Sequence, residues 1–186
     1  MKTLVLLLSM LLFTACGSKK FYTLGENINV VAQTTSLESI DVVKVLVPKY
    51  LKEHKVVRQI TPYQIELVDK AHWLIPMEKK LTDILIEYLQ QSMNNPNVHL
   101  YPWDSDNETK RRVAVDIKRF IASNTEVVLK ANYKIMDLEN RSTQIKHFET
   151  SVATTPDIQN MMKAMEEAYM KLLEEITITL INNKSV

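Results

Sequence analysis

The stretch Arg112–Ala122, RVAVDIKRFIA, alternates along its length: Val113, Val115, Ile117 and Ile121 share one face, with Arg119 as the exception. Successive side chains of a strand point to opposite sides, so this is the pattern of a strand with one face in a core. Glu126–Leu138 and Thr143–Thr155 follow as strands, with Glu139-Asn140-Arg141-Ser142 as the turn between them. The three segments read as an antiparallel meander whose apolar face must be covered by something else.

Downstream, the period changes to that of a helix. Thr155 can cap it, Pro156 sits at its first position, and Asp157 lies in the first turn, where negative charge suits the helix dipole. Ile158, Met161, Met162, Met165, Tyr169, Leu172, Leu173 and Ile176 form the apolar stripe, and Asn182-Asn183 ends it. Met161, Met162, Met165 and Met170 read as core filling, with an adaptable surface for lipid or a partner as the other use of such residues. Glu166-Glu167 and Glu174-Glu175 fall on the polar face, spaced for pairing with Lys163 and Lys171. Upstream, Leu81, Ile84, Leu85, Tyr88 and Leu89 mark a second amphipathic helix from about Pro76 to Met93, stopped by Asn94-Asn95-Pro96.

Further toward the N-terminus, Ser39–Val47 reads as a buried strand ended by Pro48. Val56–Ile60 and Tyr63–Val68 are two short strands joined around Thr61-Pro62, the pattern of a hairpin. Val98–Tyr101 is another short strand, and Asp104–Thr109 a polar loop. Sheets with one apolar face need helices against them, so the expectation is a single α/β domain, a mixed β-sheet covered by two long amphipathic helices.

The first fifteen residues stand apart. Lys2 is a positive start, Leu4–Phe13 is an apolar run, and the small residues Thr14 and Ala15 follow, the three parts of an export signal. About ten apolar residues are half of what a membrane-spanning helix needs. The chain's one cysteine, Cys16, comes next. Leu12-Phe13-Thr14-Ala15-Cys16 resembles the lipobox of bacterial lipoproteins, in which the cysteine becomes the acylated (palmitate-type) first residue after cleavage. An ordinary cleaved signal with an incidental thiol is the competing reading. The lipobox resemblance also implies that Gly17, rather than an aspartate, sends the protein to the outer membrane. The division is therefore residues 1–15 as signal peptide, 16–20 as lipidated tether, and 21–186 as the folded domain. Gly17, Ser18, Lys19 and Lys20 reach only roughly 15 Å, so the domain must sit against the membrane that holds Cys16.

Charge and composition exclude several classes. Loss of Lys2 with the signal lowers Lys+Arg from 23 to 22, against 22 Asp+Glu, so nothing argues for nucleic acid as partner. Gly17 and Gly25 are the only glycines, which rules out a phosphate-cradling loop and a G-x-S-x-G elbow. His54, His72, His99 and His147 are scattered, and the loop after Asp104 has Thr109 where a calcium loop needs glycine. No catalytic residue, metal site or cofactor is expected, apart from the covalent lipid on Cys16.

One constellation remains. Phe21-Tyr22-Thr23-Leu24 opens the domain, Val47-Pro48-Lys49-Tyr50-Leu51 ends a strand, and Trp73-Leu74-Ile75-Pro76-Met77 precedes a helix. In this order, behind a lipobox, these motifs resemble the ABC-type transport auxiliary lipoproteins, the paraquat-inducible protein C family. The resemblance implies a non-enzymatic, outer-membrane-anchored subunit on the periplasmic face. It would serve an MCE-type lipid (phospholipid) transport system and envelope integrity, with an MCE-domain protein and inner-membrane permease components as partners. It also implies a homo-oligomeric ring. Tyr50, Leu51 and Trp73 become the expected partner-binding residues, with core packing as the competing role for Trp73. Two other readings stay open: a stand-alone envelope assembly or scaffold lipoprotein, and a periplasmic hydrolase.

Overall fold

The computed structural model describes residues 18–26, 30–104 and 109–182, so the signal, Cys16 and Gly17 lie outside the described residues. Eight strands and two long helices follow in the order β1 (Lys20–Tyr22), β2 (Ile40–Val43), a 3-10 turn (Lys49–Lys52), β3 (Lys55–Thr61), β4 (Gln64–Trp73), α1 (Met77–Ser92), β5 (Val98–Tyr101), β6 (Arg111–Ala122), β7 (Glu126–Asp137), β8 (Ser142–Ala153) and α2 (Ile158–Asn182). This is the expected α/β domain with a mixed sheet.

β6 is its axis. One edge carries the meander, β6–β7–β8, antiparallel along nearly its full length. The other edge is shared end to end by two parallel neighbours. β2 pairs with its start, Ile40 opposite Arg111, and β3 with its end, Arg58 opposite Ala122. From there the sheet forks: β5 lies parallel on β2, while β4 and then β1 continue from β3.

The alternation that marked β6 is interrupted by a bulge between Ile117 and Arg119. One extra residue shifts every later side chain to the other face. Phe120 therefore takes the inward place with no exposure, Ile121, expected on the inner face, pairs instead with Val128 on the other one, and Arg119 turns to donate from Nη2 to Gln59 Oε1 at 2.6 Å. That accounts for the exception in the pattern.

The inward residues of β6 and β7, from Val113 to Ile117 and from Val127 to Ile135, are buried beneath the helices. The opposite face is polar, with ion pairs Lys118–Asp116 and Lys130–Glu149. The helices thus form one layer on one side, and full burial of each large apolar side chain contributes on the order of 1.5–3 kcal/mol. Met161, Met162 and Met165 are buried and Met170 packs against the core, so the methionines fill space.

Three expectations need correction. The strand read as Ser39–Val47 stops at Val43, because Val45 N–H donates to Thr82 Oγ1 at 2.9 Å on α1 instead of continuing the ladder. Leu46 returns only as an isolated bridge to Asp116. β4 runs to Trp73 rather than Val68, since β1 pairs with its last residues. The cap of α2 is Asp157, not Thr155: its Oδ1 accepts from Gln159 N and Asn160 N, both at 3.0 Å, and Pro156 precedes the helix. α1 ends with Asn94 in the left-handed region (φ 42°), a conformation asparagine tolerates at helix ends.

Candidate functional site

The motifs that stood apart in the sequence meet in one corner of the sheet. Tyr22 pairs with Trp73 across β1 and β4, and Leu74 N–H donates to Tyr22 O at 2.9 Å. Trp73 N–H donates to His54 O at 2.8 Å, which fixes β4 to the segment after the 3-10 turn. Pro48 opens that turn, and Leu51 N–H closes it on Pro48 O at 3.0 Å. Gly25, at φ 74°, occupies the region a side chain disfavours, and its N–H donates to Glu166 Oε2 at 2.6 Å. The N-terminal motif is thereby tied to the last helix.

Within this corner Leu51 is 2% exposed and Trp73 7%, both members of the core. Tyr50 is half-buried, and its Oη accepts from Phe120 N–H at 2.9 Å. Burial pushes the Tyr50 phenol up, while the Phe120 hydrogen bond and the Arg119 charge pull it back. Its hydroxyl satisfies a backbone donor next to the β6 bulge. All three residues hold the corner together. Cys16 lies outside the described residues.

Beside the corner, the end of β2 is clamped to α1. Glu78 accepts from Lys44 at 2.8 Å and from Lys52 at 2.7 Å. Those two lysines hold the Glu78 carboxyl below the usual carboxylate range. Because the folded value is the lower one, the contribution is present above the ordinary carboxylate pKa and fades as pH falls below about 4. Both lysines are well exposed, so Glu78→Gln is expected to cost up to about 1 kcal/mol at neutral pH. Urea unfolding of both forms at pH 7 and pH 3 checks this: the difference should shrink at the lower pH.

Lys44 of this clamp also lines an apolar groove of about 400 Å³, together with Lys79, Thr82, Asp83 and the segment Leu100–Trp103. The Tyr101–Pro102 peptide is cis, and Trp103 is 85% exposed at the rim. Tyr101 is held from behind. The Arg112 guanidinium lies 3.6 Å from its ring centroid and pairs with Asp41, which is fully buried, at 2.9 Å. Exposed tryptophan beside a preformed apolar groove is a surface suited to binding another molecule. The sequence reading passed over Pro102 and Trp103; the available signal was an aromatic–proline pair between a short strand and a polar loop.

The other candidates have structural employment. Glu167 pairs with Lys171 as the spacing predicted, but Glu175 accepts from Tyr133 Oη at 3.1 Å, so part of that polar face ties α2 to the sheet. His147 Nδ1 is 2.6 Å from Asn132 Oδ1, and the His72 ring lies 5.7 Å from that of Phe21. Among the described residues no group of three or more His, Cys, Asp or Glu is placed to hold a metal ion. No described helix is long and apolar enough to cross a membrane.

Fold and site together define a two-layer α/β domain that offers an apolar groove at the end of its β2–β5 arm. The chain belongs to the family of ABC-type transport auxiliary lipoprotein components, whose family model matches residues 22–177. The match spans the corner, the groove and most of α2. Two crystal structures share the fold. A Xanthomonas campestris protein of the DUF330 family model is 16% identical with a TM-score of 0.75, over 89% of this chain and 97% of its own. An uncharacterized protein is 17% identical with a TM-score of 0.72, over 88% of this chain and 99% of its own. At such identities the likeness concerns the fold alone. No curated protein matches the chain.

Proposed function

We propose that this protein is a lipid-anchored accessory subunit of an MCE-type phospholipid transport system. It is held by Cys16 on the periplasmic face of the outer membrane and acts by docking rather than by chemistry. The observation that carries this reading is the family match over residues 22–177. The lipobox ending at Cys16, Gly17 behind it and the short tether support the location. In this reading the domain waits at one membrane for the far end of an MCE-domain protein held by permease components in the other. Among the described residues β8 pairs with β7 alone, and its outer edge offers copies of the chain a place to meet in a ring.

Tyr50, Leu51 and Trp73 contribute from inside, by fixing the corner beside the groove. Trp103 is the contact residue we assign. The test is purification of the tagged protein from detergent-solubilised envelopes. Co-elution of an MCE-domain chain is expected, and Trp103→Ala should reduce it about tenfold or more, the loss typical of a tryptophan at the centre of an interface. Recovery of only outer-membrane proteins or peptidoglycan fragments would favour the scaffold reading instead.

A further inference from the structure

The strand register says which end of the domain faces the membrane. β1 runs parallel to β4, with Lys20 opposite Ala71 and Tyr22 opposite Trp73. The chain therefore enters β1 from the side of the β3–β4 hairpin tip, not from the side of Trp73. β4 bulges at Lys70 (φ 58°), so the height is measured on β3: from Lys55, opposite His72, to Thr61, opposite Gln64 at the tip, is at most about 20 Å at ~3.3 Å per residue. The tether from Lys20 back to Cys16 reaches roughly 15 Å at most. A membrane surface that holds the cysteine therefore lies within reach of the hairpin tip.

The chemistry of the tip agrees. Gln59–Ile65 contains no charged residue. Glu66, the next, is paired with Arg58, whose Nε donates to Glu66 Oε1 at 3.0 Å. Tyr63 is 99% exposed, and Ile65 and Leu67, two apart on one face of β4, are each about half exposed at 53% and 52%. Two uncharged loops stand beside it. Arg58 Nη1 donates to Pro156 O at 3.4 Å, and Thr154 N–H donates to Thr125 O at 2.8 Å. These contacts gather Ser123-Asn124-Thr125 and Thr154-Thr155-Pro156 at the hairpin's end of the sheet, with Glu126 and the helix-capping Asp157 as the charges next to them. The opposite end, where Asp137 pairs with Arg111 and Ser142, carries Lys110, Asp137, Glu139 and Arg141. There Leu138 N–H reaches Lys110 O at 2.8 Å.

We propose that the β3–β4 hairpin tip, with Tyr63, Ile65 and Leu67, dips into the lipid bilayer that holds Cys16, so that the charged end of the domain points away from the membrane. The inference rests on the lipid-anchor reading and adds an orientation and a second contact to it. A tyrosine at the tip and aliphatic side chains on its flank suit the headgroup–acyl boundary.

The test uses the full lipidated protein in vesicles of phosphatidylethanolamine and phosphatidylglycerol with brominated acyl chains. Tyr63→Trp and, at the other end, Leu138→Trp are each made with Trp103→Phe, which removes the other exposed indole. Bromine quenching should be at least about threefold stronger for Tyr63→Trp than for Leu138→Trp, as expected of an indole at the acyl boundary. Equal quenching, or a Tyr63→Trp signal that bromine leaves unchanged while the protein floats with the vesicles, overturns the hairpin contact. Protein that carries no lipid and stays off the vesicles overturns the anchor reading itself.

Discussion

Cys16→Ser is expected to move the protein from the membrane fraction to the soluble periplasmic fraction and to abolish its contribution to the envelope, with its melting curve unchanged. The physical reason is the steepness of acyl anchoring. Each buried CH₂ contributes about 0.8 kcal/mol, and a single chain binds with an association constant of only about 10⁴ M⁻¹. The lipoproteins this chain resembles carry three chains, which makes attachment effectively permanent; serine cannot carry the thioether-linked lipid. The hairpin tip alone, with three apolar side chains, is too small to replace it. Stability should be untouched because, among the described residues, the core begins at Leu24. Fractionation of cells, with thermal unfolding of both purified forms, checks the two halves. A soluble form, exported by a cleavable signal, that works fully would show that position at the membrane is not what the anchor provides.

Tyr169→Ala is expected to have the largest effect on folding, about 3–5 kcal/mol. Tyr169 is 1% exposed and lies where α2 meets both α1 and β6. Its ring stacks on Phe120 with centroids 6.2 Å apart, and its Oη donates to Leu81 O at 2.8 Å. Burial drives its phenol well above the ordinary tyrosine range, so it stays neutral and keeps that proton. Alanine loses the ring and opens a cavity between two helices and the sheet. Tyr169→Phe keeps the ring and loses only the hydrogen bond, at a cost of about 1–2 kcal/mol. Denaturant unfolding of the three forms should rank them in that order, with the alanine midpoint about 8–15 °C lower on heating. Near-equal losses for Phe and Ala would mean that the hydroxyl, not the packing, carries the site.

Phe120, the partner of that ring, also shows where sequence reading stops. Alternation placed Val113, Val115 and Ile117 inward correctly, because period two is a local property. It could not foresee the bulge that brings Phe120 in and sends Arg119 to Gln59, since nothing between Ile117 and Arg119 marks an extra residue. The meander and both helices were legible for the same reason of local periodicity. The parallel pairing of β2 and β3 along one edge of β6 was not, as it depends on contacts far apart in sequence. β2 ended early through a hydrogen bond to Thr82, a partner thirty-seven residues away.

The candidate site was legible in part. The order of the Tyr22, Pro48–Leu51 and Trp73 motifs identified the family, which the match over residues 22–177 then showed. It did not distinguish residues that build the corner from residues that face a partner, because aromatic side chains serve both ends. Leu51 and Trp73 prove to be packed inside. Trp103, in no motif, stands exposed beside the groove that their corner adjoins. Burial is a property of the assembled sheet, and no spacing rule carries it.

The most direct measurement of the central claim is site-specific crosslinking in intact envelopes. A photoreactive residue is placed at Trp103, in the lipidated protein expressed from its own locus, and the products are identified by mass spectrometry. The account predicts a product containing an MCE-domain chain, absent when the same group is placed at Tyr63. Crosslinks from Trp103 confined to outer-membrane barrels, to peptidoglycan-bound proteins or to lipid would contradict it.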